Sequence, residues 1–464
     1  MRCEIKFIAM AETTRTNHRH AVAVVGGATA GSEVARVFAG RGALVIVIEQ
    51  NARPYGKIED GLPRWHVKQR LDEYEEINRR LDNPNVLYVP LTRMGRDLHF
   101  EELHESWGLN AIVLANGAWR DRPFPVDGAD HYLDKGLVYQ NPLIYWFNHY
   151  PEAGYNGPRY RLEPGTIVIG GGLASIDVVK VLQIEMTLAG LRQRGIKEDM
   201  LRLEREGIEP VLKRYELTWA DLGIESCKLF YRRRVIDMPL SDIPEGTPAK
   251  RAESLRMARG KILDKAQRKF LFEFQDQNVP TSLMIKDGRL AGLQMTHTEV
   301  IEGKARKLAG SEYDVAAPMT ISSIGSIPEV IPGIPQSGEV YRYLDQNVGL
   351  VLEGRTAVYA SGNVLTGKGN IKDSLESGTH IGIHVAEQYL GLAEDGARFE
   401  LSELAWREAA AEAEAIAADM EHRAGLETEA IGRIERLVRE RQAAVGYDGS
   451  YRAWIKKMTP PDLH

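Results

Sequence analysis

The sequence predicts an α/β protein with two Rossmann-like dinucleotide-binding domains and a C-terminal helical extension. Two observations lead there. Three short apolar runs stop at glycines: Ala21–Val25 before Gly26 and Gly27, Thr166–Ile169 before Gly170, Gly171 and Gly172, and Ala357–Ala360 before Gly362. Runs of this length, rich in β-branched residues and flanked by Gly, read as buried parallel strands. Helical patterns then follow the first two, Ser32–Ala39 and Ser175–Leu188. A strand, a glycine turn and a helix occurring twice mark two βαβ units.

Composition narrows the class. The chain has 464 residues, 43% hydrophobic and 27% charged, with Lys+Arg 59 against Asp+Glu 65 and a formal charge of −6. This is ordinary for a globular protein and excludes a disordered one. The acidic balance argues against a general nucleic-acid binder, which needs a basic surface. Apolar runs such as Ala43–Ile48 fall short of the roughly 20 residues of a membrane span. Met1–His20 lacks the apolar stretch of a secretory signal, so the cytoplasm is the expected compartment. Cys3 and Cys227 are the two cysteines, and no Cys-x-x-Cys occurs. That excludes a dithiol redox centre, a four-cysteine iron–sulfur cluster and a thiolate zinc site built from this sequence. Both cysteines read as small hydrophobes or bystanders.

The remaining elements follow in order. Ala111–Leu114 is a further buried strand and Asn141–Glu152 a crossover. Ala189–Asp221, rich in Glu, Lys, Arg and Leu, reads as a helical insertion. Ser226–Arg234 reads as a strand ending in three arginines, and Lys250–Gln275 as helix. Leu283–Thr298 forms strands about a Lys286-Asp287-Gly288 turn, and Met319–Gly325 is another apolar run stopped by glycine. Ser402–Arg441 is helical in composition, and Thr459-Pro460-Pro461 closes the structured chain. The expected divisions are an N-terminal extension (1–20), a first domain in two parts (21–145 and 326–395), a second domain (146–325, with the 189–221 insertion) and a helical tail (396–464).

The first turn reads Val25-Gly26-Gly27-Ala28-Thr29-Ala30-Gly31-Ser32. In a G-x-G-x-x-G frame Gly26 and Gly31 take the outer places, and Ala28 takes the middle one. The first glycine makes the turn, the second lets backbone approach a pyrophosphate, and the third packs helix on strand. The helix N-terminus then offers N–H groups and a positive dipole end. Ala28 adds a methyl that weakens this cradle without closing it. The next strand ends in Glu49, 23 positions after Gly26. A carboxylate there binds a ribose 2′-hydroxyl and repels a 2′-phosphate, so FAD or NAD is expected, not NADP. The second turn reads Ile169-Gly170-Gly171-Gly172-Leu173-Ala174-Ser175, with Ser175 in the third place. Where the first unit has its acid, the second carries Tyr231-Arg232-Arg233-Arg234. Guanidinium groups pair phosphate through a bidentate fork, which favours NADP(H) over NAD(H).

Several segments together resemble one flavoprotein family: adrenodoxin reductase, ferredoxin–NADP reductases of that type, and the glutamate synthase small subunit. Tyr55-Gly56-Lys57-Ile58-Glu59-Asp60-Gly61-Leu62-Pro63-Arg64 resembles its flavin-side loop. Gly95-Arg96-Asp97-Leu98 with Glu101-Glu102-Leu103 is similar to the segment ahead of its Ala-Thr-Gly-Ala strand end, here Ala115-Asn116-Gly117-Ala118. Ile144-Tyr145-Trp146-Phe147-Asn148 with Pro151-Glu152 resembles its aromatic crossover. Phe230-Tyr231-Arg232-Arg233 with Met238-Pro239 resembles the glutamate synthase subunit's signature, and Gly362-Asn363 through Gly369-Asn370-Ile371 the close of the flavin site. The resemblance runs from about Ala21 to Leu390.

It implies an FAD domain with an inserted NAD(P) domain, and an FAD-dependent NAD(P)H oxidoreductase exchanging electrons with an iron–sulfur protein or partner subunit. Gly26, Gly27, Ala28, Ala30 and Gly31 would cradle the pyrophosphate, and Glu49 with Gln50 would meet the adenosine ribose. Tyr55, Gly56, Leu62, Ala115, Asn116 and Gly117 would line the flavin. Gly362 and Asn363 would face its phosphate and ribityl chain. Gly369 and the N–H groups of Asn370 and Ile371 would face the N1/O2 edge, where a helix start stabilises the charge of reduced flavin. Gly170, Gly172, Leu173, Ala174, Ser175, Arg232 and Arg233 would hold NAD(P). No catalytic side chain and no metal are implied, since flavin carries the chemistry. Asn363 and Asn116 depart from the family pattern, and the cysteine count leaves no counterpart here to the iron–sulfur N-terminal domain of the glutamate synthase subunit. Two further roles stay open: an NAD(P)+-reducing FAD subunit of a larger complex, and a flavin-binding assembly subunit with an idle nicotinamide site.

Other residues have plainer readings. His66 touches substrate or flavin, or is a loop histidine. His380 and His384, at i, i+4 spacing, pack on a late FAD helix, as no third metal ligand is apparent. Lys368 and Lys372 attract an acidic carrier or are simply solvated. The tail either clasps its own domain or docks a partner or second copy through Trp406, Ile416, Leu437, Trp454 and Ile455.

Overall fold

The computed structural model describes residues 18–244, 246–392 and 425–461. In chain order its main elements begin with β1 (Ala21–Val25), α1 (Thr29–Gly40), β2 (Leu44–Ile48), α2 (Lys57–Asp60), α3 (Val67–Leu81), β3 (Val86–Val89) and β4 (Ala111–Leu114). Next come β5 (Leu137–Tyr139), α4 (Gln140–His149), β6 (Ile167–Gly170), α5 (Leu173–Gln193), α6 (Met200–Glu206), α7 (Ile208–Lys213), α8 (Trp219–Leu222) and β7 (Lys228–Phe230). They are followed by α9 (Ala249–Phe270), β8 (Glu273–Gln275), β9 (Asn278–Lys286), β10 (Arg289–Ile301) and β11 (Thr320–Ser323). The last are β12 (Leu350–Leu352), β13 (Ala357–Ala360), α10 (Asn363–Thr366), α11 (Ile371–His384), α12 (Thr428–Ala444) and α13 (Tyr451–Met458).

The chain divides into two compact units: residues 1–56, 72–118 and 328–464, and residues 57–71 and 119–327. The first is built on a six-stranded sheet in the order β12-β13-β4-β1-β2-β3. All its pairings are parallel except β12 with β13. Every residue of β1, β2, β4 and β13 is buried, as in a sheet covered on both faces. α11 lies on α1 where Gly378 leaves room: a Cβ there would stand 2.8 Å from the Ala30 carbonyl oxygen. The edge strand β3 is covered by the tail, with Gln442 Nε2 donating to the Tyr88 carbonyl at 2.8 Å. An uncovered edge would invite pairing with another chain. Ile431, Ile434 and Val438 of α12 join the core formed by Val89, Met94, Leu98 and Trp107.

The second unit has a five-stranded parallel sheet in the order β5-β11-β6-β7-β8. A separate four-stranded antiparallel sheet is formed by β9, β10 and residues Lys304–Lys307 and Tyr313–Ala316. The insertion is helical, as its composition predicts. α6 is capped by the Asp199 side chain, and α8 by a Thr218/Asp221 capping box. Leu203, Ile208, Val211 and Leu212 bury it against the unit's core.

Two readings need correction. Lys250–Gln275 is not helical throughout: Leu271 turns left-handed (φ 57°) and ends α9, and its carbonyl takes a bond from the buried Gln183 amide at 2.6 Å. Glu273–Gln275 is then released to pair with β7. Ser226–Arg234 contains only three strand residues, Lys228–Phe230. Beyond them Arg234 pairs with Asp237 at 2.9 Å and closes a 3-10 turn, so the arginines lie off the sheet. The described part of the tail clasps its own unit, one of the two alternatives open for it. Trp454 and Ile455 are buried and Leu437 packs against the core, whereas Trp406, Ile416 and Cys3 lie outside the described residues. Among the described residues no helix is long and apolar enough to cross a membrane.

Candidate functional sites

In the first unit, adjacent parallel strands bring the residues singled out in the sequence to one sheet edge. β1 ends at Gly26, whose N–H donates to the Ile48 carbonyl at 2.8 Å. Gly26 has φ +98°, and a Cβ there would meet the Ala115 carbonyl oxygen at 2.5 Å. Gly31 is equally constrained, since a Cβ on it would overlap the Gly26 carbonyl. The two outer glycines of the motif are thus required by the backbone itself. Ala28 is the N-cap of α1 and supplies no side-chain cap, and the first turn holds no acid. The helix start is left to a ligand or to water. Glu49, 4% exposed, turns its carboxylate to this turn: Gly27 N–H donates to Oε2 at 2.8 Å and Asn51 N–H to Oε1 at 2.9 Å. Gln50 follows it, half-buried.

The late segment closes on the same place. Ser361 N–H donates to the Leu114 carbonyl at 2.9 Å, and a Cβ on Gly362 would stand 2.7 Å from that of Ala30. Asn363 starts α10. Gly369 is exposed, and Asn370 caps α11 by accepting from Asp373 N–H at 2.8 Å, which leaves the Ile371 and Lys372 N–H groups outside the cap. Asn116 donates to Tyr341 at 3.1 Å, while its Oδ1 is buried with no partner among the described residues. That orphan acceptor, beside Ala115 and Gly117, fits a ligand donor. Tyr55 is 2% exposed, stacked on Tyr74 at 3.9 Å, and donates to Asn78 Oδ1 at 3.1 Å. It therefore acts as a support of the loop, with Gly56 buried next to it. Leu62 belongs to the second unit, in the turn after α2. Steric demand, an orphan acceptor and an uncapped helix together fit a dinucleotide.

In the second unit a Cβ on Gly170 would overlap the Ser323 carbonyl, and one on Gly171 the Tyr231 ring. A Cβ on Gly172 would meet only Pro239 Cγ, at an ordinary 4.0 Å, and Leu173 and Ala174 after it are exposed. Buried Ser175 donates back to the Gly172 carbonyl at 2.7 Å, and α5, like α1, has no side-chain cap and no acid in its first turn. The two arginines differ in kind. Arg233 donates to Tyr231 Oη at 3.0 Å and to the Asp237 and Gly303 carbonyls at 3.2 and 3.3 Å. Arg232 is exposed, with no ion-pair partner among the described residues. Sequence reasoning missed Arg256 of α9. It is exposed and lines a groove of about 490 Å³ with Arg234, Ile236, Asp237, Glu253 and Met257. The turn of α9 that carries it showed only as one basic residue in a basic helix.

Two more groups escaped the sequence. Lys57 donates to Asn141 Oδ1 and Ser326 Oγ at 3.1 and 3.0 Å, and burial pushes its amine down to about 8. His149 lies between Asp60 (2.9 Å) and Glu152 (2.7 Å). Burial would lower its pKa, but the two carboxylates prevail and raise it to about 9. His66 is half-buried, and desolvation holds it below its ordinary value. His380 is 3.3 Å from the Asn347 carbonyl, and His384 sits edge-on to Tyr359. No metal-binding cluster occurs among the described residues. Lys368 and Lys372 lie 3.8 Å from Asp373 and Glu376. Cys227 is fully buried, with its thiol pKa pushed up by that burial.

No family model matches the chain. A similar fold is found in FprA of Mycobacterium tuberculosis. A structure of FprA in complex with NADPH superposes with TM-score 0.64 at 15% identity, covering 92% of this chain and 91% of that one. A second FprA structure, of a covalent modification of NADP+ in this oxidoreductase, gives 0.62 at 17% identity, covering 90% and 99%. The fold is FprA's. By sequence, the chain is 22% identical over 382 residues to the glutamate synthase [NADPH] small chain of M. tuberculosis, covering 75% of this chain and 67% of that relative.

Proposed function

We propose that this chain is an FAD-dependent oxidoreductase that uses NADP(H). The reading is carried by one observation: two strand–glycine–helix turns in which Gly26, Gly31, Gly170 and Gly171 have no room for a side chain, one facing a buried acid, the other flanked by an arginine with no ion-pair partner among the described residues. FAD, when bound, supplies hydride exchange with nicotinamide and single-electron exchange with a second carrier. The protein's part is to bind and orient. Gly26, Gly27, Ala28, Ala30 and Gly31 take the FAD pyrophosphate on the α1 start, and Glu49 with Gln50 takes the ribose. Asn116, Gly362, Asn363 and the N–H groups of Ile371 and Asn370 take the rest of the flavin side, with Tyr55 and Gly56 supporting. Gly170, Gly172, Leu173, Ala174 and Ser175 take the nicotinamide cofactor's pyrophosphate, and Arg232 its 2′-phosphate. Arg233 shapes that corner by holding Tyr231 and the 237 carbonyl.

Two cysteines leave no thiol pair to receive electrons, so the second carrier is external, an iron–sulfur protein or subunit. The likeness to glutamate synthase small chains favours a second reading, an FAD subunit of a larger oxidoreductase. The cytoplasm is the proposed compartment on the sequence argument above. A dye-reduction assay on the isolated chain separates both of these catalytic readings from a flavin-binding assembly subunit with an idle nicotinamide site. A stand-alone reductase oxidises NADPH with an artificial acceptor at tens of turnovers per second or less, in the ordinary enzyme range. An assembly subunit with an idle site does not, whatever flavin it binds.

A further inference from the structure

We propose that the C-terminal helix α13 is a positioning element of the FAD site, acting through the loop 49–56 and not by contact. The inference rests on the FAD reading above. The loop carries Glu49 at its start and Tyr55 near its end. On the ligand side it is fastened by the Gly27 N–H to Glu49 bond of 2.8 Å. On the opposite side the tail holds it. Trp454 Nε1 donates to the Ala52 carbonyl at 2.7 Å, and Tyr88 Oη reaches the same carbonyl at 3.3 Å. Tyr451 Oη donates to Asn78 Oδ1 at 2.9 Å, the same oxygen that receives Tyr55 Oη at 3.1 Å. One amide oxygen therefore ties a loop residue to a tail residue.

These donors are fixed by packing. Trp454 is 2% exposed and Tyr451 6%. Their rings form an edge-to-face cluster in which Tyr88 meets Tyr451 at 5.2 Å and Tyr447 meets Trp454 at 5.4 Å. A loop outside any ladder must find partners for its backbone elsewhere, and buried tyrosine and indole donors must be used. The tail satisfies both at once. Without it the Ala52 carbonyl loses its indole donor, and the strand-to-loop corner that aims Glu49 is free to relax.

The test compares tail variants that do and do not reach the loop. Trp454→Phe and Tyr451→Phe keep the rings and remove one donor each. Arg441→Ala removes a different anchor, its 2.7 Å pair with Glu102 on the far stretch of the tail. FAD affinity is measured on apoprotein by flavin fluorescence, and the thermal midpoint of the same apoprotein in parallel. Each Phe variant is expected to weaken FAD binding about threefold, and the pair about tenfold, the size of one or two lost hydrogen bonds. Arg441→Ala, which also frees the Asp97 carbonyl, is expected to lower the midpoint measurably while leaving FAD affinity within about twofold. The proposal is overturned if the Phe variants bind FAD like the parent, or if affinity in all three variants simply follows the midpoint. Parent protein that takes up FAD in those experiments upholds the FAD reading in either case; parent protein that takes up none overturns both.

Discussion

At the scale of single residues, the glycine turns make the sharpest demands. A methyl on Gly31 has nowhere to go but the Gly26 carbonyl. Gly31→Ala is expected to yield protein without yellow colour, its flavin absorbance relative to protein at least tenfold below the parent. That size follows from backbone overlap that no rotamer relieves. The arginine pair separates in the same way. Arg232→Gln should weaken NADPH binding about tenfold, the worth of one charge-assisted contact, and leave NADH unchanged. Arg233→Gln instead breaks three hydrogen bonds from the guanidinium to neutral acceptors within the unit. It should lower thermal stability and shift both nucleotides together. Equilibrium titration of flavin absorbance with each nucleotide measures both effects. The sequence pointed to all these positions, because glycine spacing and charge at a strand end are local signals. It did not distinguish Arg232 from Arg233, because partners such as the 303 carbonyl come from 70 residues away.

At the scale of elements, the His149 bridge joins α4 to α2. Its pKa in the folded protein, about 9, stands above the ordinary 6.5. The bridge therefore contributes fully below pH 6.5 and is lost as pH rises through about 9. The thermal midpoint of the parent should fall over that alkaline range. His149→Gln should start lower at neutral pH and show a flatter profile there; a parallel profile would contradict the assignment. The strands β1, β2, β4, β6 and β13 were legible from apolar runs of four or five residues. The limits of β7 and α9 were not. One is set by where Arg234 finds Asp237, the other by the buried Gln183 holding Leu271 in a left-handed turn. The first is a local i, i+3 pair that closes the turn after the strand, and the second is a tertiary contact that outranks local propensity. The tail shows the same limit: its apolar stripe was visible, but the surface it covers, the β3 edge, is decided by the fold.

At the scale of the whole molecule, the account stands on two cofactor-binding units of different preference in one chain. Their recurrence was readable because each rests on a contiguous strand–turn–helix segment. The electron partner was not, because a docking surface leaves no comparable local pattern. Among the described residues the side chains hold neither a metal cluster nor a thiol pair, and the chain's own groups bind and orient. The most direct measurement is an anaerobic titration of the purified protein, followed by its visible spectrum, with NADPH and NADH in separate runs. The account predicts one FAD per chain, bleached by NADPH at a concentration at least about tenfold below that needed for NADH. Protein without bound flavin, or flavin reduced equally well by the two nucleotides, would contradict it.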